Sequence, residues 1–368
     1  MMAEKIRVLI VDDSVFFREF MSRSLSADPA IEVVGVASNA FEAEEKIKSL
    51  KPTVVTLDIE MPRMRGTDFL RHIKPLYPNL QVVVISSVSG IVFEALQAGA
   101  VDFVSKPNSQ VKMDNAAFIA ETLQKIKIAA IAMRTKTAAA GRPAPSPQPD
   151  AETSAHKTAP GRPAVTPLPI TGPVQFKNPN TIIAIGASTG GTEAILTVLK
   201  DLPENTPGIV IVQHMPAYFT AMYAERLNKI CKIRVREAKD GDRVEQGLAL
   251  LAPGGDRQMR VHKDARGYYV RLTQEEKVSG HCPSVDVLFE SVAKAAGKDS
   301  VGVILTGMGG DGAKSLLLMR KQGAYTIGQD QESCVVYGMP MVAYNLGAVV
   351  DQLPLSQIGS AILRKLIV

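Results

Sequence analysis

A serine between glycines is the first residue of this 368-residue chain whose setting suggests catalysis. Ser188 stands in the sequence Gly-Ala-Ser-Thr-Gly-Gly (186–191), directly after the apolar run 182–185. A sharp turn from a strand into a helix exposes a serine hydroxyl for attack, and Gly-x-Ser-x-Gly is the usual spacing of such turns. The sequence therefore makes Ser188 a candidate nucleophile for acyl transfer.

Three other kinds of turn share features of this segment. Ser188 or Thr189 can simply cap the N-terminus of a helix, an alternative that the motif alone leaves open. A dinucleotide-binding turn is excluded because Ser188 occupies the second glycine position of Gly-x-Gly-x-x-Gly. A phosphate-binding Walker loop is excluded because no lysine follows these glycines.

A serine nucleophile needs a neighbouring base, and the chain has five histidines. Three lie in the same half of the chain as Ser188, namely His214, His262 and His281. His214 follows the apolar run 209–212 and so lies at the carboxyl end of a strand, as Ser188 does. His262 fits a half-exposed strand of a polar hairpin, and His281, in a loop before a proline, is the weaker rival.

The base in turn needs an acid that orients its ring and stabilises the imidazolium. Asp311 lies in the glycine-rich turn 306–312, directly after the apolar run 301–305. Ser188, His214 and Asp311 thus each follow a predicted strand. Because the carboxyl ends of parallel strands meet at one edge of a sheet, we expect the three side chains to converge there.

A second group of polar residues, in the N-terminal part of the chain, points to phosphate chemistry. Asp12, Asp13 and Asp58 follow apolar runs, and three carboxylates brought together need a hard cation such as Mg²⁺. Asp58, alone at the end of a central strand, is the expected phosphoryl acceptor. We expect Lys106 to pair with the phosphoryl oxygens and the Ser86 hydroxyl to bond one of them.

Strands and helices alternate through the first domain, as expected for a parallel sheet covered on both faces. The predicted strands are Ile6–Val11, Glu32–Ala37, Thr53–Asp58, Gln81–Ser86 and Val101–Ser105. Helices are predicted to begin near Val15, Ala40, Thr67, Val92 and Asn115. The polar residues assigned to phosphate chemistry all fall at the carboxyl ends of these strands, where such sheets bind ligands.

The C-terminal domain also begins as an α/β unit. Buried parallel strands are predicted at Ile182–Ile185, Ile209–Val212 and Val301–Leu305. Shorter and more polar strands, forming a hairpin insertion around Arg266-Gly267, are predicted at Leu248–Leu251, Met259–His262 and Tyr268–Leu272. The expected fold is a doubly wound, mostly parallel α/β domain with a β-hairpin insertion.

The segment between the two domains has the composition of a linker. Ten of the 23 prolines fall in residues 143–179. A segment so poor in large apolar residues cannot bury enough surface to offset the entropy lost on ordering. We therefore predict domains at residues 1–134 and 180–368, joined by a flexible Pro-rich linker over 135–179.

The overall composition is that of a globular protein, with 46% hydrophobic and 21% charged residues. No apolar run approaches the roughly 18–20 residues that cross a membrane, so no direct membrane insertion is expected. We expect no signal peptide, and three cysteines without metal-ligand spacing fit a reducing cytoplasm. Of the net charge of +5, +3 comes from residues 135–180, so no nucleic acid partner is indicated.

Five stretches of the first domain match one known family: Val-Asp-Asp-Ser (11–14), Leu-Asp-Ile-Glu-Met-Pro (57–62), Ser-Ser (86–87), Ala-Gly-Ala (98–100) and Lys-Pro (106–107). Residues 6–125 thereby resemble a two-component receiver domain with a flavodoxin-like (βα)5 fold. The resemblance implies that a chemotaxis histidine kinase phosphorylates Asp58 in the presence of Mg²⁺. It also implies that Phe103 is the aromatic switch residue.

Six blocks of the second domain match another family in order: Gly-Ala-Ser-Thr-Gly-Gly (186–191), Gln-His-Met-Pro (213–216), Ala-Pro-Gly-Gly-Asp (252–256), Pro-Ser-Val-Asp-Val-Leu-Phe (283–289), Leu-Thr-Gly-Met-Gly (305–309) and Val-Val-Tyr-Gly-Met-Pro (335–340). They are similar to the catalytic domain of chemotaxis protein-glutamate methylesterases. The resemblance implies a triad of Ser188, His214 and Asp311, with the backbone N–H of Met308 in the oxyanion hole and no cofactor in this domain.

The expected function is a phosphorylation-activated hydrolase that removes methyl esters from glutamates of methyl-accepting chemoreceptors and also deamidates glutamine. The family implies that the unphosphorylated receiver covers the catalytic edge. Two positions depart from the family pattern. Gly310 replaces a common asparagine and is expected to loosen the loop before Asp311. Gln258 replaces a common histidine and is expected to alter substrate contacts.

Two alternative functions belong to other classes of protein. A non-catalytic adaptor would use the same receiver as a switch and bind receptors without turnover, and a methanol-release assay separates it from a hydrolase. A DNA-binding response regulator is disfavoured because the C-terminal half has no helix-turn-helix pattern and no basic recognition helix.

Overall fold

The computed structural model of the protein describes residues 4–87, 89–107, 114–140 and 174–368. Of the predicted linker, residues 141–173 lie outside the described part of the chain. Among the residues that are described, no helix combines the length and the apolar character needed to cross a membrane.

The first domain alternates strands and helices, as predicted. Its elements are β1 (Ile6–Val11), α1 (Val15–Ser26), β2 (Ile31–Ala37), α2 (Ala40–Leu50), β3 (Val54–Asp58), α3 (Gly66–Leu76), β4 (Gln81–Ser86), α4 (Ser89–Gln97), β5 (Asp102–Ser105) and α5 (Asn115–Ala140). The strands form one parallel sheet in the order β2-β1-β3-β4-β5. The predicted flavodoxin-like fold is confirmed, and element ends differ from the prediction by a few residues at most.

Local signals in the sequence fix where these elements meet. Strand β3 is buried at every position, as its apolar run requires in a sheet covered on both faces. Ser14 and Asn39 cap α1 and α2, because their side chains accept hydrogen bonds from the backbone of Phe17 and Glu42. Because β1 ends at Val11 and α1 begins at Val15, Asp12 and Asp13 lie in the loop between them.

The second domain has a larger sheet and a separate hairpin. Its elements are β6 (Ile182–Ala187), α6 (Gly191–Lys200), β7 (Ile209–Gln213), α7 (Ala217–Ile230), β8 (Arg234–Glu237), β9 (Leu248–Leu251), β10 (Arg257–Asp264), β11 (Gly267–Gln274), α8 (Val285–Ala296), β12 (Ser300–Ile304), α9 (Ala313–Lys321), β13 (Tyr325–Gln329), α10 (Met339–Asn345), β14 (Asp351–Leu353) and α11 (Leu355–Leu366). Seven strands form a sheet in the order β14-β13-β12-β6-β7-β9-β8.

The order of this sheet creates a crevice beside β6. From β6 the chain builds β7, β9 and β8 on one side, then returns to place β12, β13 and β14 on the other. All strand pairs in the sheet are parallel, so the carboxyl ends of β6, β7 and β12 lie at the same edge. This reversal is the position at which doubly wound sheets bind ligands.

One strand of the second domain was placed wrongly by the sequence. Leu248–Leu251 was predicted as part of the polar hairpin insertion, but β9 pairs with β7 in the main sheet. Its four apolar residues are all buried, which is the requirement of a strand covered on both faces. The hairpin itself consists of β10 and β11, an antiparallel pair that turns at Ala265 and Arg266.

Helix α5 continues to Ala140, past residue 134, where we predict the first domain to end. At the far end of the linker, Phe176 forms an isolated antiparallel bridge with Ile367 beside α11. The linker's last residues therefore lie against the C-terminal end of the second domain. The domain limits themselves stay a prediction.

The two domains contact each other through aromatic side chains. Phe93 of α4 stacks on Tyr223 of α7, with ring centroids 5.5 Å apart. Phe103 of β5 meets Phe219 of α7 at 4.6 Å. Phe103 was predicted as the receiver's switch residue, so this contact places the switch position directly in the domain interface.

Candidate active site

The turn that carries Ser188 follows β6 and needs glycine on both sides. A side chain at position 186 would bring its Cβ to 2.2 Å from a methyl carbon of Val285. Gly190 has φ of +78°, a left-handed conformation that favours glycine, and Val335 fills the space beside it. The glycines of the Gly-x-Ser-x-Gly motif are thus required by close packing, and α6 begins immediately after them at Gly191.

A second turn, after β12, lies directly against Ser188. The backbone N–H of Ser188 donates to the carbonyl of Thr306 at 3.0 Å. A Cβ at Gly307 would lie 2.7 Å from Cβ of Ser188, so this approach requires glycine. Met308 is the next residue of this turn and is 40% exposed.

His214 directly follows β7 and is joined to the turn of Ser188. Its backbone N–H donates to the carbonyl of Ala187 at 3.1 Å. Its ring nitrogen Nε2 lies 2.8 Å from Oδ2 of Asp311. The other ring nitrogen, Nδ1, is buried and has no hydrogen-bond partner. Because a carboxylate only accepts, the ring proton belongs on Nε2, and Nδ1 carries the free lone pair of a base.

Asp311 is held at the N-terminus of α8. Oδ2 accepts the backbone N–H of Val285 at 2.7 Å, and Oδ1 accepts that of Asp286 at 3.0 Å. The hydroxyl of Ser284 donates to Oδ1 at 2.7 Å. Free N–H groups and the helix dipole at such an end stabilise a negative charge.

These contacts keep Asp311 ionised although it is buried. Burial alone raises the pKa of its carboxyl group, but the hydrogen bonds from His214, Ser284 and Asp286 outweigh that effect and lower it. A buried carboxylate that accepts from Nε2 of His214 fixes the tautomer of the ring. It also stabilises the imidazolium that forms when Nδ1 takes a proton.

His262 and His281, the other two histidines of this domain, are placed differently from His214. His262 is exposed on the hairpin and stacks on Tyr269, with ring centroids 5.6 Å apart. His281 lies in the site but makes no contact with Asp311 like that of His214. Its ring lies flat on the ring of His214, with centroids 3.7 Å apart and planes inclined by 10°.

The receiver covers this site. Ser188 and His214 line a cavity of about 20 Å³, and Phe103, Glu121 and Lys125 of the receiver line its other side. Such a volume holds about one water molecule. The receiver therefore leaves little free space over the candidate active site in this arrangement of the domains.

A buried hydrogen bond joins the receiver to the nucleophile turn. The Thr189 hydroxyl donates to Oδ2 of Asp102 at 2.8 Å. The ammonium group of Lys125 bonds the same oxygen at 2.7 Å. Thr189 is adjacent to Ser188, and Asp102 is adjacent to Phe103. The contact thus links the receiver's predicted switch position to the residue beside the candidate nucleophile.

The receiver's acidic residues gather as predicted at the carboxyl ends of β1 and β3. Carboxylate oxygens of Asp12, Asp13 and Asp58 lie within 4.8 Å of one another. Lys106 bridges Asp12 and Asp58, with its Nζ 2.6 Å from an oxygen of each. Ser86 is buried at the end of β4.

The charge of this group is unbalanced. Burial raises the pKa of Asp58 to about 6, against the opposing effect of Lys106 and with a further contribution from Asp12. One lysine faces three carboxylates, which leaves room for a divalent cation. The donors are all oxygens, the ligands that Mg²⁺ prefers.

Comparison with known proteins identifies the family of each domain. The family described as CheB methylesterase matches residues 183–362. The family described as response regulator receiver domain matches residues 8–118. A Syntrophomonas wolfei protein named protein-glutamate methylesterase/protein-glutamine glutaminase 2 is 52% identical over 365 residues, 99% of this chain and 98% of that protein. The chain belongs to the CheB methylesterase family.

Other relatives are similar over comparable lengths. A protein of Escherichia coli K12 named protein-glutamate methylesterase/protein-glutamine glutaminase is 42% identical over 371 residues, 98% of this chain and 97% of that protein. The solved CheB methylesterase catalytic domain of Thermotoga maritima is 34% identical, with a TM-score of 0.49, and covers 50% of this chain and 98% of that one.

The structure shows the surroundings of the two positions that depart from the CheB pattern. Gln258 is fully buried: its amide nitrogen donates to the carbonyls of Glu276 and His281, and its amide oxygen accepts from the backbone of Ser284. This side chain braces the loop before α8, and the expected change in substrate contacts stays a prediction. A Cβ at Gly310 would lie 3.1 Å from a methyl carbon of Val342, and four donors hold the carboxylate of Asp311, so the expected loosening of this loop also stays a prediction.

Three residues of this CheB site were missed as functional candidates. Ser284 holds Asp311, and Thr306 donates to the carbonyls of Thr189 and Val336, which ties the turn of Ser188 to the turn after β12. Gly307 makes the close approach to Ser188. All three lie in blocks that match the family, so the signal was present. Their roles depend on contacts between segments that are distant along the chain.

Proposed function

We propose that this protein hydrolyses γ-methyl esters of glutamate side chains in chemoreceptors, using Ser188, His214 and Asp311 as a catalytic triad. One observation carries the proposal above all. Ser188 and His214 line the same small cavity, Nε2 of His214 is bonded to an ionised carboxylate, and Nδ1 of the same ring has no hydrogen-bond partner. A histidine with one nitrogen held by a carboxylate and the other unpaired, in a cavity shared with a serine, is what general-base catalysis needs.

In the first step, Oγ of Ser188 attacks the ester carbonyl carbon while Nδ1 of His214 takes the hydroxyl proton. Asp311 stabilises the resulting imidazolium through its bond to Nε2. The two ring nitrogens have exchanged roles relative to the serine proteases, in which Nδ1 bonds the aspartate and Nε2 takes the proton. Backbone N–H groups of the turn that contains Met308 would hold the tetrahedral oxyanion, and the close approach of Gly307 to Ser188 in this turn supports that role.

In the second step the imidazolium returns its proton to the leaving oxygen and methanol departs. A water molecule, deprotonated by the same Nδ1, then attacks the acyl-serine and frees the glutamate carboxylate. A glutamine side chain would give the same acyl-serine with loss of ammonia. We therefore include deamidation of receptor glutamine in the proposed function.

Regulation is proposed to start at Asp58 as the phosphoryl acceptor, with a chemotaxis histidine kinase as donor. Asp12, Asp13 and Asp58 are the residues that would hold Mg²⁺, and their mutual approach within 4.8 Å supports that role. When bound, Mg²⁺ neutralises charge on the phosphoryl oxygens. Lys106, which now bonds Asp58, would pair with one of these oxygens, and Ser86 would bond another.

The proposed path from the phosphate to the catalytic site runs through Phe103. Its ring contacts Phe219 of the catalytic domain. A rearrangement of Ser86 and Phe103 on phosphorylation would weaken the contacts that close the cavity over Ser188. We propose this release of the receiver as the activating step. The cytoplasmic location expected from the sequence also stays a prediction.

The test is release of methanol from methylated chemoreceptors in the presence of a small phosphodonor and Mg²⁺. We expect Ser188→Ala to abolish release, and Ser49→Ala, an exposed serine on α2, to match the wild-type protein. Full activity of the Ser188→Ala variant would overturn the mechanism. A wild-type protein that binds receptors without releasing methanol would instead identify the non-catalytic adaptor.

The role of the acidic pocket is tested separately. Asp13→Asn removes one carboxylate without touching the acceptor, so we expect phosphorylation to need much higher Mg²⁺ concentrations. Asp58→Asn should accept no phosphoryl group at any Mg²⁺ concentration. Incorporation of phosphate into full-length protein is the measurement, and Asp28→Asn, in the same domain but outside the pocket, is the control.

A further inference from the structure

One face of helix α5 lies on the catalytic domain. Glu121, Lys125, Ile128 and Ala132 are spaced by four, three and four residues, which places them on a single stripe of the helix. Glu121 and Lys125 line the cavity between the domains, and Ile128 and Ala132 pack on Val336 of the catalytic domain. The receiver therefore covers the catalytic site with a regular helix and not with an irregular loop.

The lower part of this stripe is apolar and packs on Val336. Ile128, Ala132 and Val336 form a small buried cluster, with Val335 packed at its edge. Val336 is 4% exposed in this arrangement. Withdrawal of α5 would expose this valine to water, which is unfavourable unless another apolar surface replaces the helix.

The backbone of Val336 is hydrogen-bonded to the turn that follows β12. The N–H of Val336 donates to the hydroxyl of Thr306, and its carbonyl accepts the N–H of Gly307 at 3.0 Å. Gly307 is the residue that lies closest to Ser188 on the second turn. An apolar contact at Val336 is thus fixed in position relative to the nucleophile.

The upper part of the stripe carries a glutamate into the site. Glu121 lines the same small cavity as Ser188 and His214. Burial raises the pKa of its carboxyl group, as expected where water is excluded. Helix α5 thus places a glutamate in the wall of the cavity that Ser188 lines, and its apolar residues, seven and eleven positions later, pack on Val336.

We propose that the substrate docks as an α-helix on the surface that α5 now covers, with its esterified glutamate entering the cavity where Glu121 lies. This inference rests on the proposed function and specifies how its substrate binds. The partner is a helix with small or apolar residues about two and three turns after the reactive glutamate. The receiver helix and the substrate helix compete for the same valine, so removal of α5 both opens the cavity and frees the docking surface.

The test compares two matched substitutions across this contact, each nearly isosteric and each in the full-length chain: Val336→Thr and Ile128→Thr. Both weaken the interdomain contact, so both should raise methanol release by the unphosphorylated protein. Only Val336 is shared with the substrate. With phosphodonor present, we expect Val336→Thr to raise KM for radiomethylated chemoreceptors in membranes about fivefold, and Ile128→Thr to leave it unchanged.

A small substrate separates docking from catalysis. N-acetylglutamate amide γ-methyl ester is too short to contact Val336, so a disturbed turn would affect it as much as receptors, and we expect Val336→Thr to lower kcat/KM about fivefold more on receptors than on this ester. An unchanged KM for receptors in the Val336→Thr variant would overturn the proposal. Equal losses on receptors and on the small ester would overturn it as well, because they would place the effect in the turn. Failure of the wild-type protein on both substrates would instead reject the proposed function.

Discussion

The ring of His281 lies flat against the ring of His214, with centroids 3.7 Å apart and planes inclined by only 10°. His214 is held at one ring nitrogen alone, since Nε2 is bonded to Asp311 and Nδ1 has no partner. A single hydrogen bond leaves the ring free to tilt about that bond. The stacked ring of His281 restricts this motion, so His281 is a positioning residue for the base.

This role predicts that a flat ring matters at position 281 and that its nitrogens do not. We expect His281→Phe to keep most of the wild-type kcat for methanol release, and His281→Leu to lower kcat about tenfold with little change in KM. Initial rates with the phosphorylated protein give both constants. If the phenylalanine variant is as slow as the leucine variant, His281 takes part through its nitrogens and the positioning role is wrong.

The same residue predicts a dependence of stability on pH. Burial, together with the neighbouring His214, Lys125 and Lys277 and against the opposing effect of Asp311, lowers the pKa of His281 to about 4. Its value in the unfolded chain is about 6.5, so between these values the unfolded chain binds more protons. The contribution of His281 to stability is therefore complete above about pH 6.5 and is lost as the pH falls toward 4.

We expect the His281→Phe variant to lose less stability than the wild-type protein on acidification. Because the ring is partly exposed, the difference at pH 5 should be about 1 kcal/mol, and above pH 7 the titration contributes nothing. Urea unfolding at pH 5, 6 and 7.5 measures it. His262→Phe is the control, since that histidine is exposed on the hairpin. An equal acid sensitivity of His281→Phe and wild type would contradict the lowered pKa.

The hydrogen bonds to Asp311 predict that two substitutions at this carboxylate lower kcat to different extents. Asp311→Asn removes the charge that stabilises the imidazolium and also disturbs the tautomer of His214, so kcat should fall about 10³–10⁴-fold. Ser284→Ala removes one of four donors to the carboxylate, and we expect a loss of about tenfold or less. Far-ultraviolet circular dichroism checks that both variants fold. Equal losses in the two variants would show that Ser284 does more than orient Asp311.

The bond between Thr189 and Asp102 predicts a variant with raised basal activity. Thr189→Val removes a buried hydrogen bond to a carboxylate, worth about 1.5–3 kcal/mol, so the closed arrangement should be disfavoured by about tenfold or more. The measurement is the ratio of unphosphorylated to phosphorylated rates, which cancels any direct effect beside Ser188. Thr197→Val breaks only a bond within α6 and serves as the control. An unchanged ratio in Thr189→Val would remove this bond from the closing contacts.

The close contact between Gly186 and Val285 predicts a specific rescue. In Gly186→Ala the new Cβ would lie 2.2 Å from a methyl carbon of Val285, so the turn of Ser188 must shift. Overpacking of this kind costs about 1–3 kcal/mol, and kcat should fall with it. Adding Val285→Ala removes the opposing methyl groups and should restore part of both. A double variant no better than Gly186→Ala would place the defect elsewhere.

Much of the fold followed from local patterns in the sequence. The strands of the receiver are mainly apolar, and β6 is the apolar run that leads into the Gly-x-Ser-x-Gly motif. Strands β8, β13 and β14 were missed because they are short or mix polar and apolar residues. Their assignment depends on neighbouring strands in the sheet and not on their own composition.

The amino-acid sequence by itself determined which residues could react, since Ser188, His214 and Asp311 each follow an apolar run that must end at the same sheet edge. Only the tertiary structure decided which nitrogen of His214 is free, because that depends on where Asp311 is held by α8. It also decided that His281 stacks on the base, that Gln258 is buried, and that α5 lies over Val336. These relationships join segments far apart in the chain, and their spacing is set by packing, which no local pattern encodes.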